Sequence, residues 1–186
     1  MTHEYTISLF TEDHIGILSR ITIILTRRQI NIESITASES AVSGVQMLTM
    51  VVTTTPEMVN KVAKQIEKLV DVIKVFVHTS AEIISQEIAL YKVATRGLMS
   101  GSMISDIVRK HHARILEVTP EYFVVEKSGS KTEITELLAV LEPCGVLQFV
   151  RSGRIAVTRQ VKELNAYLKE MDEAERAGHE TQEVYN

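Results

Sequence analysis

Apolar and polar residues alternate through Tyr5, Thr6, Ile7, Ser8 and Leu9, which predicts a strand over residues 5–10 with one buried face. After a polar turn the period changes. From Gly16 onward Ile17, Leu18, Ile21, Ile24 and Leu25 recur at three and four, placing them on one helical face opposite Ser19, Thr22, Arg27 and Arg28. Two β-branched runs, 30–38 and 45–53, flank Ser43-Gly44, where glycine supplies the positive φ of a tight hairpin, so the runs should pair antiparallel. Thr55-Pro56-Glu57 gives a second helix its hydroxyl cap and first-turn proline, and Val59, Val62, Ala63, Ile66 and Leu69 form its stripe. Residues 72–78 read as a closing strand.

Strand, helix, strand, strand, helix, strand is a split βαβ, or ferredoxin-like, unit with both helices on one face of a four-stranded antiparallel sheet. The same order returns. Residues 88–95 read as a strand, 103–112 as a helix with Ile104, Ile107 and Val108 inward, and 115–118 with 122–126 as a strand pair bent at Pro120. A helix over 132–141 follows, and 146–150 with 155–157 are expected to form a hairpin across Ser152-Gly153. The predicted class is therefore α+β, two such units in tandem: 1–80, a connector over 81–87 without Pro or Gly, and 88–159. Residues 160–186 form a tail in which Val161, Leu164, Leu168 and Met171 keep helical spacing before a polar end.

Two units fit the 186 residues and 45% hydrophobic content, each being large enough for a small core of its own. A net charge of -4, with no block of either sign, argues against a nucleic-acid binder, and an RNA-binding sheet would need more than 4 Phe, 5 Tyr and no Trp. Cys144 is the only cysteine, flanked by Pro143 and Gly145, so no intrachain disulfide or activated thiol is expected and a reducing cytoplasm fits. Neither a signal peptide nor a membrane span is expected, because no apolar run approaches about 18 residues.

Candidate chemistry concentrates at the turn Glu12-Asp13-His14-Ile15-Gly16. The opening of a helix leaves backbone N–H groups unpaired and a partial positive charge, so the amides of Ile15, Gly16 and Ile17 can hold a carboxylate. Asp13 and Asn31 could accept from an ammonium if the second strand begins beside this turn, and Ile15, Ile17 and Ile32 would supply an apolar wall. On spacing alone a plainer reading is favoured, in which Asp13 caps the helix and Gly16 permits a bend. His14 beside Glu12 and Asp13 lacks a nucleophile to complete a relay, so no catalytic residue is expected, and no metal site is read. His111 and His112 complement a helix C-terminus, and Ser100-Gly101-Ser102 lacks the lysine of a phosphate loop. Arg151, Arg154 and Arg159 suit either an acidic partner or a charged, protected sheet edge.

In the first half the segments Gly16-Ile17-Leu18-Ser19-Arg20, Asn31-Ile32-Glu33-Ser34-Ile35 and Lys68-Leu69-Val70-Asp71-Val72-Ile73-Lys74-Val75 stand out. In the second half Glu87-Ile88-Ala89-Leu90-Tyr91-Lys92-Val93, Ile115-Leu116-Glu117-Val118-Thr119-Pro120 and Arg151-Ser152-Gly153-Arg154-Ile155-Ala156-Val157-Thr158-Arg159 do so. Together these segments resemble the small regulatory subunit of acetohydroxyacid synthase (acetolactate synthase), whose first half is an ACT domain. The resemblance implies a non-catalytic subunit that activates a separate large subunit, on which thiamine diphosphate, magnesium and FAD are expected; none is expected on this chain. It implies feedback inhibition by valine, with leucine and isoleucine as further effectors, at the interface of a homodimer formed through the ACT domains. The family site falls on Asp13, His14, Ile15, Gly16, Ile17, Asn31 and Ile32. The alternative is a free-standing ACT regulator of another enzyme or of transcription. Two positions depart from the family pattern. Asp13 stands where asparagine is common, so it can accept from an ammonium but repels a ligand carboxylate. Gln29 stands where glycine commonly ends the first helix, so a terminus without a left-handed cap is expected.

Overall fold

A computed structural model of the chain describes residues 1–97 and 101–159. Ser100 of the Ser100-Gly101-Ser102 segment and the tail 160–186, with its Val161, Leu164, Leu168 and Met171 stripe, lie outside the described residues.

The first unit contains β1 (His3–Glu12), α1 (Ile17–Arg27), β2 (Ile32–Glu39), β3 (Val45–Thr54), α2 (Pro56–Ile66) and β4 (Val72–His78). Its antiparallel sheet has the order β2-β3-β1-β4, so β2 is an outer strand. Alternation works as expected: Ile7, Leu9, Met50 and Val52 project toward the helices and meet Ile21, Leu25, Val62 and Ile66, all essentially inaccessible. Each such side chain contributes about 1.5–3 kcal/mol by leaving water, which makes this face the main source of the unit's stability. Thr55 caps α2 by accepting from the Met58 amide, with Pro56 in the first turn. Gly44 turns β2 into β3 with φ 77°.

The second unit contains β5 (Ile83–Ala94), α3 (Gly101–Lys110), β6 (Arg114–Val118), β7 (Tyr122–Gly129), α4 (Lys131–Leu141), β8 (Val146–Arg151) and β9 (Ile155–Thr158). Its sheet runs β6-β7-β5-β8, and β9 also pairs with β5. Tyr91, Phe123, Val125, Ile134, Leu137 and Leu141 fill the core. The Tyr91 hydroxyl donates to the Ile134 carbonyl at 2.8 Å, and burial pushes its pKa up to about 12. Ser130 and Glu133 close a reciprocal capping box that starts α4 one residue before the predicted position.

Three expectations are corrected. Residues 83–87 of the expected connector are strand: Ile83 to Gln86 pair with Thr158 to Ile155, a partner too distant in sequence for local pattern to announce. Residues 146–150 and 155–157 do not form a hairpin. Both lie antiparallel to β5 on the same edge, β8 against Ala89–Val93 and β9 against Ile83–Gln86, with 152–154 leaving the edge between them. Gln29 does cap α1 in the left-handed region, at φ 55°. The amides of Ile30 and Gln29 close back onto Leu25 O and Thr26 O, which is the Schellman pattern, and Ile30 packs in the same core as Leu25. His112 (φ 49°) ends α3 in the same way, with the Ala113 amide on Val108 O.

The second unit also covers the helix-free face of the first sheet. Thr6, Ser8, Thr49 and Val51 point away from α1 and α2 yet are buried, and Arg154 donates to Thr6 Oγ1 at 3.0 Å. No described helix is long and apolar enough to cross a membrane.

Candidate functional site

β1 delivers the turn 12–16 to the start of α1. Gly16 is the N-cap residue, with φ 89° and no side-chain cap, and a Cβ there would meet nothing within 4 Å. A glycine is needed for the backbone angle, and open space lies over it. Asp13 does not cap the helix: its carboxylate accepts from Gln46 Nε2 at 2.9 Å, across from β3. The Ile17 amide makes a long 3.4 Å bond to His14 O, whereas the amides of Ile15 and Gly16 donate to no backbone carbonyl among the described residues. Ile15 is fully exposed and Ile17 is buried in the core. Of the expected apolar wall, only Ile15 therefore stands free at this turn.

The turn is pinned by residues that sequence reading did not assign to it. Asp71, at the entrance to β4, accepts from His14 Nδ1 at 2.9 Å and pairs with Arg20 through its other oxygen. The Asp71 carbonyl also takes the Glu12 amide, at 2.9 Å. The hydrogen bond to Asp71, reinforced by its charge and that of Glu12, raises the His14 pKa; His14 and Arg20 in turn lower that of Asp71. The signal for Asp71 lay in the segment Lys68–Val75, where one acid interrupts an apolar strand start. Glu12, His14 and Asp71 bring three donor atoms within 4.8 Å of one another, but the Arg20 guanidinium on the same carboxylate makes this an ion-pair cluster. Beneath the turn, Thr11 Oγ1 is buried without a hydrogen-bond partner.

Asn31 and Ile32 are elsewhere. Ile32 pairs with Val52, which pairs with Tyr5, whereas Glu12 pairs with Val45 at the other end of the sheet. Helix α1 carries the chain back before β2 begins, so Asn31 lies about 30 Å along the strands from Asp13, at roughly 3.3 Å per residue. Within one chain the two halves of the expected site are thus apart, correcting the assumption that β2 begins beside the turn. The end of β2 adjoins it instead: Glu39 pairs with Gln46, the residue that holds Asp13. A groove of about 500 Å³ lined by His3, Glu4, Tyr5, Pro56, Thr79 and Ser80 also sits at the far end of β1 from the turn. Cys144 is buried in the second core and does not meet His14.

A family model described as the AHAS small subunit-like ACT domain matches residues 7–74, and one for the small subunit of acetolactate synthase matches residues 86–160. This chain belongs to the acetolactate synthase small-subunit family. Acetolactate synthase small subunits from Mycobacterium leprae and Bacillus subtilis are each 34% identical to it, over 83% and 82% of this chain and 91% and 89% of theirs. The crystal structure of the acetolactate synthase small subunit from Thermotoga maritima superposes with a TM-score of 0.78 at 25% identity, covering 86% of this chain and 99% of that one. Both units of the small-subunit architecture are therefore present. The first family match contains the turn 12–16 and Asn31; the second contains the whole of β8 and β9.

Proposed function

We propose that the chain is the regulatory subunit of acetolactate synthase: it activates a thiamine-diphosphate-dependent large subunit and brings it under feedback inhibition by valine. The observation that carries the effector site is the separation of Asp13 from Asn31 on a sheet whose outer strand is β2. If two copies pair along β2 about a two-fold axis, the strands run antiparallel, and the beginning of one β2 comes beside the end of the other. The partner's Asn31 then faces the Glu39–Gln46–Asp13 end of the first chain, and two equivalent composite sites form. An outer strand with unpaired backbone groups gives that pairing its motive.

In such a site the α-carboxylate of valine lies on the Ile15 and Gly16 amides at the positive end of α1. Its ammonium is held by the Asp13 carboxylate and the Asn31 side-chain carbonyl of the partner, and its branched side chain rests against Ile15 and the partner's Ile32. Ile17 acts from the core, by fixing the first turn of α1. Gln46, donating to Asp13, draws off part of the negative charge that a ligand carboxylate would otherwise meet. His14 takes no proton-transfer role; it ties the turn to Asp71. Leucine and isoleucine offer the same ammonium and carboxylate with longer side chains. Thiamine diphosphate, magnesium and FAD belong on the large subunit, and the single buried cysteine suits cytoplasmic residence.

Reconstitution tests the proposal. Adding the chain to its large subunit is expected to raise acetolactate formation, and valine to lower it again. A rate unchanged by the chain removes the activation claim. Calorimetry with valine, leucine and isoleucine should show binding to the wild type that Gly16→Asp abolishes, since that change brings a side chain and a negative charge to the carboxylate seat. Binding that survives Gly16→Asp would move the site elsewhere.

A further inference from the structure

Between β8 and β9 the chain leaves the edge of β5 for three residues. Ser152 repairs the ladder, its amide on Ile88 O at 2.8 Å and its hydroxyl accepting from the Ile88 amide at 2.9 Å. The detour puts Gly153 and Arg154 onto the helix-free face of the first sheet. Gly153 lies so close to β2 that a Cβ would fall 2.6 Å from Ile35 O, and nearer still to Thr36 Oγ1. Backbone cannot yield to that as a flexible side-chain end can, so contact with β2 demands glycine here.

Arg154 is only 8% exposed and serves both units. Its Nη1 reaches Glu4 Oε1 at 2.8 Å and Thr6 Oγ1 at 3.0 Å on β1, while its Nε lies 3.7 Å from Glu87 Oε1 on β5. Glu87, 4% exposed, also pairs with Arg151 Nε at 3.1 Å. Arg154 and Glu87 are thus nearly dry, while Glu4 and Arg151 beside them stay about 30% exposed and Glu33, paired with Lys131, adds a further acid close to Arg154; loss of Arg154 leaves the buried Glu87 short of compensating charge. Around it the covered face is polar and incompletely paired: Ser34 Oγ and Thr36 Oγ1 are buried without partners. Polar seams of this kind between domains permit a change of relative position more readily than apolar ones.

The two strands gripped by this loop are the two that carry the halves of the composite effector site: β1 runs into the turn 12–16, and β2 begins directly after Asn31. We infer that Gly153 and Arg154 form a coupling joint through which the second unit reads the state of the β1–β2 face, so that effector binding reaches the catalytic partner only while the joint is closed. The inference rests on the effector site proposed above. Arg154 and Gly153 touch no effector in that site; they position the two units.

Two variants open the joint by different means: Arg154→Gln removes the shared charge, and Gly153→Ala leaves every charge in place and wedges the loop off β2. In the full-length chain, amide exchange at residues 6–8 and 34–36 is expected to accelerate about tenfold or more in both, with residues 123–125 of β7 unchanged. With the large subunit present, valine should bind each variant within about threefold of the wild-type Kd, while the valine concentration that halves the rate rises at least tenfold. Variants whose inhibition still follows valine occupancy as in the wild type overturn the coupling. A wild-type chain that neither binds nor answers valine overturns the effector reading instead. The joint is then judged by exchange, where unaltered protection at residues 6–8 and 34–36 in Gly153→Ala overturns it.

Discussion

Gln29 holds a left-handed backbone angle that glycine adopts freely and a side chain resists by about 1–2 kcal/mol. Its amide and that of Ile30 close the end of α1, so the packing of Ile30 beside Leu25 maintains a conformation the residue itself disfavours. Gln29→Gly is accordingly expected to raise stability by about 1 kcal/mol in denaturant unfolding, partly offset by the freer unfolded chain, and Gln29→Ala to leave it unimproved. The pair His14–Asp71 sets a second expectation. The raised His14 pKa means its contribution is complete below the ordinary value of 6.5 and is lost as pH climbs through the folded value; the lowered Asp71 pKa means its contribution is complete above 3.8 and is lost as pH falls through the folded value. The turn is therefore best pinned between about pH 4 and 6.5. Asp71→Asn should bring the His14 imidazole titration, followed by NMR, down toward its ordinary position; an unmoved midpoint would show that Asp71 is not its partner in solution.

At the scale of elements, caps and periodicity account for most boundaries. Thr55 and Pro56 announce α2, and the alternation at Tyr5, Ile7 and Leu9 announces β1, because those signals are written in residues that touch each other along the chain. The capping box at Ser130 and Glu133 was equally local. Ser130→Ala removes the acceptor for the Glu133 amide and should destabilise the second unit by about 1 kcal/mol, visible as a lower unfolding midpoint with an unchanged slope. Strand β5 was legible only in its second half. Ile83-Ile84-Ser85-Gln86 has no clean alternation by composition, and becomes strand because β9 supplies hydrogen bonds. Burial then alternates as it must, Ile83 at 3% exposed and Ile84 at 52%.

For the whole molecule the decisive matter is direction. Helix α1, at 11 residues, returns the chain about 16 Å toward the start of β1 before β2 begins. Asn31 therefore cannot complete the turn of its own chain, and the composite site has a test independent of any structure. Gly16→Asp and Asn31→Ala chains, each unable to bind valine alone, should regain binding when mixed and allowed to exchange subunits. Random pairing makes half the dimers mixed, each with one intact site of two, so about a quarter of wild-type capacity should return in calorimetry. No recovery, with exchange verified, would place both halves of the site in one chain.

By itself the sequence determined most element types and their order, the inward face of β1 and of the helices, and the turn that presents Gly16, because each follows from residues a few positions apart. It also placed the chain in its family through segments spread over both units. What only the tertiary structure decided are the contacts between residues remote in sequence: Asp71 with Arg20, 51 positions apart, and Arg154 with Glu4, 150 apart. Those depend on strand register, chain direction and the docking of one unit on the other, and no local pattern of hydrophobic and polar residues encodes them.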